Sequence, residues 1–231
     1  MIVAIIPARA GSKRIAGKNI KPFAGKPMLA WPLRAAQQAG IFDRIIVSTE
    51  APHIAAIAKE WGAEVPFMRP AELADDYTGT APIFLHALDA LAAQGASIEY
   101  ACCIYPTSPF LLADDLRQGF MKLRDTGAPA VIPVTTFSSP ILHAFIRSQD
   151  DIVAYKWPEH AMLRSQDMPD FFHDAGMFYW VDVARFRELQ CILMPGTRAL
   201  QLPRKRIHDL DTMEDWEAAE LAAHAFFQAN G

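Results

Sequence analysis

The residues best equipped for chemistry in this chain are cations gathered in one short stretch. Arg9, Lys13, Arg14, Lys18, Lys21, Lys26 and Arg34 all precede the first carboxylate, Asp43, so seven of the 22 Lys and Arg fall in the first 42 positions with no acid among them. Most lie in the run IPARAGSKRIAGKNIK, positions 6–21, directly behind the apolar residues 2–6. A buried strand emptying into a glycine-containing basic loop is suited to a polyanion. Backbone N–H groups of Ala8, Arg9, Ala10 and Gly11, the Ser12 hydroxyl and the Lys and Arg side chains all converge there. A triphosphate is the guest this arrangement suggests; a solvated basic loop is the plainer alternative. Near the other end, Asp209 and Asp211 flank Leu210. Residues two apart in an extended segment face the same side, so both carboxylates can reach one magnesium ion. Magnesium favours one or two carboxylates completed by waters and phosphate oxygens. D-x-D alone is a weak signal and equally describes a solvated loop.

Two familiar phosphate loops are excluded by spacing. A Walker A loop needs G-x-x-x-x-G-K followed by a hydroxyl residue. Here Gly11 and Gly17 enclose five residues, and Asn19 follows Lys18. The G-x-G-x-x-G dinucleotide fingerprint is missing altogether.

These side chains need a frame. The chain has 231 residues, 52% of them apolar, enough for one large α/β domain. Strand-like and helix-like segments alternate. Strands are expected at 1–6, 44–48, 100–105, 130–133, 176–181 and 199–202, and helices at 28–39, 51–62, 80–94, 112–127, 184–191 and 212–229. The 28–39 helix ends at Gly40, the 51–62 helix carries Pro52 in its first turn, and Asp114 opens the 112–127 helix. Short apolar strands alternating with helices predict a doubly wound, mostly parallel sheet covered on both faces. The rhythm breaks from Phe137 to His173, which reads as an inserted arm with a hairpin strand at 152–155 and exposed aromatics, Phe137, Phe145, Tyr155 and Trp157. A single domain, residues 1–231, with this protruding arm is the simplest organisation.

Composition narrows the class. A net charge of −4 argues against general nucleic-acid binding. No apolar run approaches the roughly 18 residues needed to span a membrane, so no membrane partner is expected. The start enters a strand without a charged leader or cleavage site, and a cytoplasmic protein without a signal peptide is expected. Cys102, Cys103 and Cys191 form no disulfide framework or zinc spacing and are expected as core thiols.

The segment I-P-A-R-x-x-S-K-R-x-x-x-K-N, spelled by Ile6 to Asn19, resembles the signature of the CMP-nonulosonic acid synthetases, nucleotidyltransferases of Rossmann-like fold that activate nonulosonic acids with CTP. Further segments agree in order: Arg69-Pro70-x-x-Leu73 with Asp76 and Thr80, the turn Pro106-Thr107-Ser108-Pro109, and Asp209-x-Asp211 with Asp215-Trp216. Arg164-Ser165-Gln166-Asp167 followed by 173–180, with Tyr105 before the turn, is most similar to the branch that activates pseudaminic acid. Sialic or legionaminic acid activation is the alternative within the family.

The resemblance implies attack of a sugar hydroxyl on the α-phosphorus of CTP, with pyrophosphate leaving. It implies Arg9 and Lys18 on the triphosphate, helped by Lys13 and Arg14. Asn19, Arg69 and Thr80 are placed around the nucleoside, and Asp209 and Asp211 on Mg2+. Arg164 is the expected holder of the acceptor carboxylate, with Tyr105, Gln166 and Asp174 as polar readers and the 137–173 arm as a homodimer element. His208 is expected at the surface, Asp215 in the first turn of the last helix, and Tyr179 and Trp180 as packing residues. A protein that binds nucleotides without turnover, or an interaction module on the same fold, would predict losses at Arg9, Lys18, Asp209 or Asp211. All four are present.

Overall fold

Alternating burial along the strands builds one sheet with two apolar faces, and the helices follow from which face they must cover. The computed structural model describes residues 1–230. In chain order its elements are β1 (Ile2–Pro7), the short hairpin β2 (Pro22–Phe23) and β3 (Lys26–Pro27), α1 (Ala30–Ala39), β4 (Arg44–Ser48), α2 (Pro52–Glu60) and α3 (Thr80–Ala93). There follow β5 (Tyr100–Ile104), α4 (Ala113–Thr126), β6 (Ala130–Thr136), the hairpin β7 (Phe145–Arg147) and β8 (Val153–Tyr155), β9 (Phe172–Asp174), β10 (Phe178–Asp182), α5 (Val183–Leu189), β11 (Arg198–Gln201) and α6 (Met213–Asn230).

The main sheet runs β11-β6-β10-β5-β1-β4, with β9 added to the end of β6. β1 is parallel to β4 and β5, and β6 to β11, while β10 lies antiparallel between β5 and β6. The sheet is therefore parallel in the main, as expected, with β10 and β9 reversed. Ala4, Ile6, Cys102, Ile104, Phe178 and Trp180 face a core shared with α1, α2, α4 and α6. Their neighbours Val3, Ile5, Ala101, Cys103, Tyr179 and Val181 face α3 and α5. After β1 the chain adds β4 on one side and later β5 on the other. Such a change of direction opens a crevice at the carboxyl ends of the strands, where open α/β sheets bind ligands.

Local chemistry sets the element ends. Gly40 closes α1 at φ 65°, donating to the Gln37 carbonyl. α4 is opened by Asp115 rather than the expected Asp114. Asp115 accepts from the Leu112 amide at 3.0 Å and is buried, whereas Asp114 points outward and binds Gln118. Asp115 also pairs with the buried Arg206, whose Nη2 lies 2.8 Å from Oδ1. β6 runs through Pro133 to Thr136, beyond the expected end at 133. Pro133 has no N–H to give, but its carbonyl accepts from the Ala175 amide at 3.0 Å. Gly119 lets α4 press onto the sheet: a Cβ on it would lie 2.7 Å from Cδ1 of Trp180.

The arm is shorter than expected. β9 pairs in register with β6, Val134 opposite Asp174 and Thr136 opposite Phe172, so 172 and 173 belong to the sheet and the excursion ends at 171. The hairpin β7–β8 is present, and its exposed apolar residues are Phe145, Ile146, Ile152 and Val153. Phe137, Tyr155 and Trp157 are half-buried instead.

Candidate functional site

A cleft of about 560 Å³ opens at the carboxyl ends of β1 and β5. From the loop after β1 it is lined by Arg9, Ser12, Lys13, Arg14, Lys18 and Asn19. The loop before α3 contributes Arg69, Asp75, Asp76 and Thr78, α3 contributes its first residue, Thr80, and the turn after β5 contributes Tyr105, Pro106 and Thr107. The predicted cationic loop thus faces the predicted nucleoside residues across one cavity.

The loop is held from behind. Ala8 donates its amide to the Ser48 carbonyl at 2.9 Å and Ala10 to Glu50 Oε1 at 2.7 Å, while Ser12 donates to the Ala10 carbonyl. Those three amides are already satisfied, so the expectation that the backbone of Ala8 and Ala10 serves an anion is corrected. Neither residue lines the cleft; Ala8 is buried and Gly11 lies outside the lining. Asn19 is buried and its Nδ2 donates to the Arg9 carbonyl at 2.8 Å, which makes it a clamp on the loop as well as a lining residue.

The cations are balanced by acids on two sides. Arg9 Nη1 donates to the Asp75 carbonyl and to Asp76 Oδ1, each at 2.7 Å, and Lys13 Nζ lies 2.5 Å from Asp76 Oδ2. Hydrogen bonds from Lys13 and Arg9 hold the Asp76 carboxyl below its ordinary range. Opposite, Arg14 lies 2.5 Å from Asp211 and Lys18 Nζ 3.8 Å from it, with Lys18 also donating to the Leu210 carbonyl at 2.7 Å. Burial lowers the pKa of Lys18, against the pull of Asp211.

Asp209 and Asp211 stand at the rim of the cleft rather than in its lining, in a segment that is not a strand. Leu210 between them is buried, as expected. Both carboxylates act on Lys18 electrostatically. Among the described residues no cluster of three or more His, Cys, Asp or Glu offers a complete metal site. A carboxylate pair beside a cationic loop suits a cation that keeps waters and takes the rest of its ligands from an anionic guest. His208 is half-buried against Phe110, ring centroids 4.7 Å apart, and Asp215 caps the last helix by accepting from Thr212.

A second chamber of about 350 Å³ adjoins the cleft and shares Thr80 and Tyr105 with it. Its walls are Ile132, Val134, Phe172, Ile192 and Leu193, and its polar groups are His173, Asp174 and Tyr179. Thr80 Oγ1 and the Tyr105 hydroxyl lie 2.8 Å apart, and the Tyr179 hydroxyl donates to Asp174 Oδ2 at 2.6 Å. Burial pushes both tyrosine pKa values up, so both rings carry neutral hydroxyls. Tyr105 and Asp174 are therefore brought together as expected. Arg164 and Gln166 are not: both lie on the exposed arm outside cleft and chamber, and Arg164 is bound bidentately by Asp167. The single turn Ser165–Asp167 that carries them lines neither cleft nor chamber.

Sequence reasoning missed Glu50 and read Tyr179 only as packing. Glu50 follows β4 at the carboxyl end of the sheet, a position that itself singles out ligand-facing residues in this architecture. Tyr179 alternates with core residues of β10, and nothing in its local pattern signals that its hydroxyl reaches a chamber.

A family profile described as Cytidylyltransferase matches residues 3–194. The chain belongs to the cytidylyltransferase family. Pseudaminic acid cytidylyltransferase of Campylobacter jejuni is 36% identical over 217 residues, covering 94% of each chain. CMP-N,N'-diacetyllegionaminic acid synthase of Legionella pneumophila is 30% identical over 95% of this cytidylyltransferase and 94% of its own length. Among solved structures, CMP:2-keto-3-deoxy-manno-octonic acid synthetase complexed with CTP superposes with a TM-score of 0.69, at 16% identity over 97% of this chain and 98% of that one. At that identity the match speaks for the fold alone. No helix of the described residues is long and apolar enough to cross a membrane.

Proposed function

We propose that this cytidylyltransferase joins CTP to a nonulosonic acid, pseudaminic acid first among them, releasing pyrophosphate and the CMP-sugar. The observation that carries the reading is the junction of a cationic cleft with a largely apolar chamber at Thr80 and Tyr105. The cleft suits a triphosphate. The chamber's aliphatic and phenyl walls suit the methyls of acylamino groups and deoxy carbons better than a polyhydroxylated chain, because burying unpaired hydroxyls is costly. The diacetylated acid in the name of the Legionella pneumophila relative supports the same choice.

In this reading Arg9 and Lys18 bind the phosphates, Arg as a planar fork and Lys as a point charge. Lys13, Arg14 and Ser12 add donors. Asp76 gives up Arg9 and Lys13 when the triphosphate arrives. Thr80 stays on the nucleoside side of the junction and Tyr105 holds the acceptor there, so that its anomeric hydroxyl faces the α-phosphorus; positioning of this kind is the main catalytic resource in phosphoryl-type transfers. Asp174 and Tyr179 read acceptor hydroxyl or amide groups. Asp209 and Asp211 would hold Mg2+, which when bound supplies neutralisation of phosphate charge. The exposed apolar hairpin of the arm supports a homodimer in which Arg164 and Gln166 serve the neighbouring copy's acceptor. The reaction draws on CTP in the cytoplasm, where Cys102 and Cys103 stay as buried thiols; Cys191, expected in the core with them, is exposed instead.

The test is pyrophosphate release from CTP, ATP, GTP and UTP with pseudaminic, N,N'-diacetyllegionaminic and N-acetylneuraminic acids. Strong preference for CTP with pseudaminic acid is expected. Equal turnover with UTP overturns the nucleotide assignment, and a better kcat/KM with N-acetylneuraminic acid overturns the acceptor. Sedimentation of Phe145→Glu tests the dimer: a monomer at concentrations where the parent is dimeric is expected.

A further inference from the structure

Glu50 contributes to no surface of the cleft, yet it is bonded to two groups that shape it. Its Oε1 accepts from the Ala10 amide at 2.7 Å and its Oε2 from Arg69 Nη2 at 2.7 Å. Arg69 is 3% exposed and lines the cleft. The backbone completes the frame, with Arg69 donating to the Thr49 carbonyl at 2.9 Å. Burial disfavours the Glu50 carboxylate, but the bonds from Ala10 and Arg69 outweigh it and hold its pKa below the ordinary value.

We propose that Glu50 is a positioning residue for the nucleotide: one carboxylate sets both the turn of the phosphate loop at Ala10 and the direction of the Arg69 guanidinium before CTP binds. Three features support this role over simple bracing. An acid beside a phosphate loop opposes anion binding unless a cation neutralises it, and Arg69 does so at 2.7 Å. Arg69 needs the acid in turn, because a buried unpaired guanidinium is strongly disfavoured. Arg69 Nε is buried with no protein acceptor, so a cleft occupant is the natural partner for that donor. The alternation along the loop has the same origin. Ala8 and Ala10 are pinned to Ser48 and Glu50 at the end of β4, which turns Arg9 between them into the cleft.

The inference rests on the reading of the cleft as a CTP site, and the experiment separates the two. CTP binding is measured by calorimetry without acceptor, then steady-state kinetics with CTP and pseudaminic acid, on the parent, Glu50→Ala and Glu50→Gln. Glu50→Ala is expected to weaken CTP binding about ten- to a hundredfold, the range for losing charge-assisted hydrogen bonds, and to raise the CTP KM in step. The acceptor KM stays within about twofold. Glu50→Gln keeps an oxygen for Ala10 and removes the counter-charge of Arg69, so its CTP affinity falls between the two. Amide exchange at Ala10 is expected to accelerate in Glu50→Ala and stay slow in Glu50→Gln. If Glu50→Ala lowers Tm while CTP affinity stays within about twofold, or if both KM values rise equally, Glu50 is a structural brace and the inference fails. If Glu50→Ala does not fold, Glu50→Gln decides alone on CTP affinity. A parent that binds CTP but turns over no nonulosonic acid overturns the proposed reaction and leaves the inference standing; a parent that does not bind CTP overturns both.

Discussion

Replacing Arg206 by Met should be among the most damaging single changes outside the cleft. Arg206 is 8% exposed and donates to both oxygens of Asp115, which is 5% exposed, and to the Phe110 carbonyl at 3.3 Å. Met fills much of the same volume, so the loss is of charge pairing rather than packing. The variant leaves the buried Asp115 carboxyl supported only by the Leu112 amide. Breaking a buried pair from one side costs about 3–5 kcal/mol. At about 2–4 °C per kcal/mol for a chain of this length, Tm should fall by about 6–20 °C. The pair also ties the segment carrying Asp209 and Asp211 to the start of α4, so activity should fall beyond what unfolding explains. Urea unfolding of Arg206→Met, Asp115→Leu and the double variant checks the argument. The double variant should recover most of the loss, since a buried pair replaced by apolar groups is often neutral. A single-variant cost below about 1 kcal/mol, or additive costs in the double variant, would refute the reasoning.

Three further outcomes follow from other contacts. Asp211→Asn keeps shape but removes the charge facing Arg14 and Lys18 and one proposed magnesium ligand, so turnover should fall at least about a hundredfold with Tm little changed; near-normal turnover at low magnesium would remove Asp211 from the site. Gly119→Ala should destabilise by about 1–3 kcal/mol despite alanine's better helix propensity, because the added Cβ meets the buried rings of Trp180 at 2.7 Å and Phe178 at 3.0 Å; thermal unfolding reads this, and a gain in Tm would show that α4 shifts freely. For Glu50, a folded-state pKa below the ordinary 4.5 means its stabilising contribution is complete above that value and is lost as pH falls beneath it. The stability gap between the parent and Glu50→Gln should therefore be constant near neutrality and narrow under acid, as urea titrations across pH will show.

The sheet and its helices were legible because apolar periodicity records burial directly. Ala4 and Ile6 alternate with Val3 and Ile5, and each set meets a different helix layer. The cationic loop was legible for a related reason: clustered Lys and Arg with no nearby acid in sequence must find an anion. What stayed hidden depends on partners distant in the chain. Glu50 lies 40 residues from the Ala10 amide it accepts from, and Asp115 is 91 residues from Arg206. The limits of the arm were hidden because β9 is defined by pairing with β6, not by its own pattern. Arg164 shows the reverse case: a motif match supplied its identity, and only the chain's path shows that it stands apart from its own cleft.

On the proposed reading, the acids facing the cationic loop would make the cleft an ion exchanger. Arg9 and Lys13 are occupied by Asp76, and Arg14 and Lys18 by Asp211, so an arriving anion swaps with resident carboxylates rather than filling an empty field of charge. Such an exchange favours guests that bring several charges at once over those that bring one. Few counterions are shed in the swap, which should mute the dependence of binding on salt. In such an exchange the Asp75–Asp76 turn would give up both of its bonds from Arg9 and keep those that Asp75 accepts from the Tyr77 and Thr78 amides.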